Sequence, residues 1–92
     1  MSPSENDSHK IDLTTFFLSI ASAAYMGLGI APRGTGEKTE ENLPLAKQNI
    51  DLLELMQAKT KGNRSSEEDR LLEQLLFELR MRFVEKTAQK SV

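Results

Sequence analysis

The sequence contains no cysteine and only one histidine. Without thiols there is no disulfide framework, no cysteine nucleophile and no thiolate metal site, and the composition fits a reducing cytoplasm. His9 stands alone in a polar start, MSPSENDSHK, with no second imidazole to join it. Metal and acid–base sites need convergent groups on a rigid frame, so no metal, cofactor or catalytic residue is predicted. Charge of one sign is missing too: the formal net charge is -2, which gives no general attraction to nucleic acid or to anionic membranes. Aromatics make up 5% and do not interleave with basic residues, as a single-strand-binding surface would require. No apolar run reaches the ~20 residues that span a bilayer.

What is present is helix. Residues 65–86, SSEEDRLLEQLLFELRMRFVEK, begin with Ser65 and Glu68 at the spacing of a capping box. Acidic residues fill the first turn and Arg80, Arg82 and Lys86 follow later, so charge matches the helix dipole. Leu72, Leu75, Leu76, Leu79 and Phe83 form a stripe at helical spacing, and Phe77, Met81 and Val84 widen it. This helix needs partners on more than one side.

The earlier segment IDLTTFFLSIASAAYMGLGIA is predicted to be a buried helix over about 12–28. Asp12 is its N-cap, and Ile11 with Phe16 has the placement of a hydrophobic staple. A signal peptide starts basic, whereas Glu5, Asp7 and Asp12 outnumber Lys10 here, so none is expected. Ser19, Ala23 and Gly27 recur every fourth residue as a small-residue face that admits another helix backbone closely. The loop APRGTGEKTEE lacks the lysine directly after the last glycine that a phosphate-binding loop requires, and reads as a turn. Asn42 and Pro44 open a further helix to about 61, and Gly62 is placed to end it. Its short link to the helix at 66–87 makes the two antiparallel neighbours.

The run NLPLAKQNIDLLELMQAKTKGNRSSEEDRLLEQLLFELRMRFVEK, preceded by FFLSIASAAYMGLGIAP, resembles the small bacterial family catalogued as domain of unknown function 1844. The likeness covers roughly residues 14–86. It implies a short, mostly helical, soluble bacterial protein and supplies no catalytic or binding residues.

The expectation is therefore an all-α domain over 11–87 between polar tails at 1–10 and 88–92: an N-terminal helix and an antiparallel hairpin, completed as a bundle by oligomerisation. Leaving ~400 Å² of apolar surface in water forgoes roughly 10 kcal/mol, as much as a whole domain's stability. A homo-oligomer is thus expected, with Phe16, Phe17, Ile20, Ala23, Gly27, Leu76 and Phe83 at the interface. Ala23→Glu or Leu76→Glu is expected to break it. An unidentified protein partner is the other candidate to cover such a face. The alternative function is a nucleic-acid- or ribosome-associated accessory role, with Lys59, Lys61, Arg64, Arg80 and Arg82 as candidate contacts.

Overall fold

The structure is a computed structural model that describes residues 12–30 and 40–90. Three helices account for about four-fifths of them: α1 (Leu13–Gly27), α2 (Leu43–Lys59) and α3 (Ser66–Lys90), with no strand among the described residues. His9, Ile11, Arg33 and Lys38, and with them most of the glycine-rich loop, lie outside the described residues.

Each helix starts where its sequence offers a cap. The Asp12 carboxylate accepts from the Thr15 amide at 2.8 Å, and the Asn42 side chain accepts from the Leu45 amide at 3.1 Å. At α3 the box is reciprocal: Glu68 N–H donates to Ser65 Oγ at 3.1 Å, and Ser65 N–H donates to Glu68 Oε1 at 2.7 Å. α2 stops at Lys59, with Thr60 as C-cap, sooner than its charge pattern predicts. The Thr60 hydroxyl donates to Met56 O at 2.6 Å, and Gly62 then takes φ +84°, the left-handed conformation glycine adopts freely. α3 runs on to Lys90 because nothing in Thr87–Ala88–Gln89 breaks a helix.

The core draws on all three helices. Phe17, Ala21, Ala24 and Leu28 come from α1 and its end, Ala46, Ile50 and Leu53 from α2, and Leu72, Leu76 and Leu79 from α3. α1 packs most extensively on α2. The α1–α2 crossing is tight because Gly27 has no side chain: a Cβ there would lie 2.7 Å from Ala46 N and 2.9 Å from Asn42 O. The Asn42 amide also donates to Gly27 O at 2.7 Å, which seals the crossing. The small-residue face is turned from the expected one. Ala21, Ala24 and Gly27 point inward, while Ser19 is exposed and Ala23 half-buried. Phe17 sets this rotation, because its buried ring belongs to the shared core and carries the following small residues inward with it.

Phe17, Gly27 and Leu76, expected between copies, are interior residues of one chain. The inner faces of α1, α2 and α3 cover one another while Phe16, Leu18 and Met26 of α1 stay exposed, an arrangement that periodicity alone does not reveal. Leu76→Glu therefore places a charge in the core of a single chain.

Candidate interaction surface

The helices differ in how much of their length is covered. α1 ends just past Tyr25, whose hydroxyl donates to Glu78 Oε1 on α3, yet α3 continues to Lys90. Burial of Tyr25 and the neighbouring Glu78 carboxylate push its phenol up to about 12, with Arg82 opposing. On the other flank Arg80 donates to Glu54 of α2 at 2.7 and 3.0 Å, and Lys86 lies 3.5 Å from Glu41. Beyond Leu79 no side chain described on α3 is buried, and Phe83 is only half-covered.

The side of α3 facing away from the core is apolar as well. Phe77 is 68% exposed, Val84 62% and Met81 48%. At 3.6 residues per turn this stripe lies roughly 150° around the helix from Leu72, Leu76 and Leu79. Together with Leu76, Gln57, Glu73, Arg80 and Glu85 it lines a groove of about 490 Å³. Gln57 projects from α2 and forms one wall, while Arg80, Glu73 and Glu85 make a charged rim around an apolar floor. A second groove of about 460 Å³ runs along the outside of α2, lined by Pro44, Lys47, Gln48, Asp51, Leu52 and Leu55. It is more polar, and the Lys47–Asp51 pair at 3.0 Å belongs to it. An exposed apolar floor inside a charged rim is the anatomy of a helix-docking surface, and the α3 groove fits it better.

Of the residues expected at an interface, Phe16 is exposed, Ile20, Ala23 and Phe83 are half-buried, and Phe17, Gly27 and Leu76 are interior. The sequence pattern puts Phe77, Met81 and Val84 on the widened stripe of α3 without separating them from the core. The signal that separates them is the charge between: Glu73, Arg80 and Glu85 flank the outer stripe, whereas Leu75 and Phe83 adjoin the inner one.

The candidate basic contacts do not form one surface. Arg64 is a latch within the hairpin. Its guanidinium donates to Gln57 O at 2.6 Å and to Thr60 Oγ1 at 2.9 Å, and it pairs with Asp69, with the side chain only 14% exposed. That geometry satisfies a carbonyl left open at the C-terminus of α2, that of Gln57. Arg80 is paired with Glu54, and Arg82 lies 4.0 Å from Glu78. Lys59 and Lys61 are exposed at the turn. Among the described residues no cluster of three His, Asp or Glu side chains is placed to hold a metal ion, and no helix is long and apolar enough to cross a membrane.

Fold and surface together define a small three-helix domain with an uncovered apolar helix face. The chain belongs to the family described as "Domain of unknown function (DUF1844)", whose model matches residues 10–85. No curated protein and no solved structure shows a significant match.

Proposed function

We propose that this protein is a helical interaction module that assembles with itself through the outer face of α3, without catalysis. The observation that carries the reading is the exposed stripe of Phe77, Met81 and Val84 on the face of α3 opposite its core residues. Large apolar side chains aligned on one helix face are costly to hydrate, and a partner helix is the simplest cover. The basic side chains support a nucleic-acid role less well, since Arg64, Arg80 and Arg82 all have carboxylate neighbours within the chain.

The test compares the two grooves by mass in solution. Val84→Glu, with or without Phe77→Glu, leaves the core untouched and should convert the assembly to single chains. Leu55→Glu, on the outside of α2, should leave it intact. Dissociation by Leu55→Glu alone would move the assembly surface to α2 and overturn the assignment.

A further inference from the structure

Self-association through α3 leaves open how two copies face each other, and the charges beside the stripe bear on that. Phe77, Met81, Val84 and Ala88 are spaced four, three and four residues apart, the repeat of a coiled-coil seam. All four are exposed. Arg80 stands just before Met81 on one flank, and Glu85 just after Val84 on the other.

Resting on the proposed self-association, we infer that the occupant of the α3 face is α3 of a second copy, aligned parallel to the first. In a parallel pair the residue preceding one seam position faces the residue on the partner's opposite flank, five positions further on. Arg80 of each copy then meets Glu85 of the partner subunit, and two-fold symmetry forms the pair twice. An antiparallel pair brings like flanks together, which sets Glu85 against Glu78 and Arg80 against Arg80 or Thr87. The existing Arg80–Glu54 contact does not compete, because a guanidinium has five N–H donors and can serve both carboxylates.

The same pattern limits the seam. N-terminal to Phe77 the corresponding positions are Gln74 and Arg70, and Glu73 would face Glu78 of the partner subunit. Pairing therefore begins at Phe77 and runs toward the C-terminus, along the part of α3 where, past Leu79, no described side chain is buried. Four seam residues bury less than the ~800 Å² per partner of a standard interface, so the dimer is expected to dissociate in the micromolar range.

Charge exchange and cross-linking test the geometry. Glu85→Arg and Arg80→Glu, each alone, should weaken the dimer about tenfold, because each sets like charges across the seam. Mixed one to one, the two variants should form a heterodimer with wild-type affinity, because every flanking charge then meets its opposite on the other chain. Ala88→Cys, in a chain with no other thiol, should form a disulfide at least tenfold faster than a control Ala58→Cys. Parallel helices bring the two position-88 side chains together, whereas antiparallel ones separate them. A wild-type dimer with no heterodimer preference and no enhanced cross-linking at position 88 would overturn the parallel arrangement while leaving self-association standing. A monomeric wild type would overturn both.

Discussion

Tyr25 is the only tyrosine and the chain has no tryptophan, so its phenolate absorbance reports one site without interference. Its hydroxyl donates to Glu78, and burial holds the proton up to about pH 12 against an ordinary value of 10. For a group whose neutral form is favoured by folding, the stabilisation is complete below pH 10 and is lost as pH rises through 12. Absorbance titration should therefore show a midpoint well above 10 in the folded chain and near 10 in urea. Tyr25→Phe should cost about 1 kcal/mol at neutral pH and remove that part of the alkaline loss of stability. A native midpoint at the ordinary value would mean that Tyr25 is not held against α3. Gly27 makes a steric prediction: Gly27→Ala pushes a methyl into the backbone at Ala46 and Asn42 and should destabilise by about 1–3 kcal/mol in urea unfolding. Arg64→Ala removes a charged hydrogen bond to Gln57 O and should cost about 1.5–3 kcal/mol, and Arg64→Lys should recover only part because it lacks the fork. Equal stability of the arginine, lysine and alanine forms would remove the latch.

At the scale of elements, caps and glycines are legible in the sequence itself. Asp12, Asn42, Ser65 with Glu68, and Gly62 act where local chemistry places them, because a cap depends on residues only three or four apart. Ser65→Ala should therefore lower stability by about 1 kcal/mol, read as a fall of ~4–8 °C in Tm. What sequence does not supply is which of two apolar faces on α3 meets its own chain, since periodicity gives angle but not partner. The rotation of α1 has the same origin: Ser19–Ala23–Gly27 and Ala21–Ala24–Gly27 are both small-residue rows, and contact with α2 and α3 selects the second. Arg64 reads as surface charge because its partners, the carbonyl of Gln57 and Asp69, are joined only once the hairpin closes. In chemical terms the candidate site is present in the stripe but unsorted, and Phe17, Gly27 and Leu76 of the expected interface belong to the core.

At the scale of the whole molecule, the three helices close one small core, and α3 keeps a second apolar face outward. If the outer face mediates assembly as proposed, stability and assembly are carried by different sides of one helix, so variants can separate them. Leu76→Glu should unfold the chain, as seen by loss of helical circular dichroism, whereas Val84→Glu should leave it helical but single. The most direct measurement is the mass of the wild-type protein by light scattering across a dilution series, alongside Val84→Glu. Self-association through α3 predicts a wild-type mass that moves between twice and once the 10.3 kDa of one chain as concentration falls. The variant should stay at 10.3 kDa throughout. A wild-type mass of one chain at every concentration would contradict the assembly role of this face.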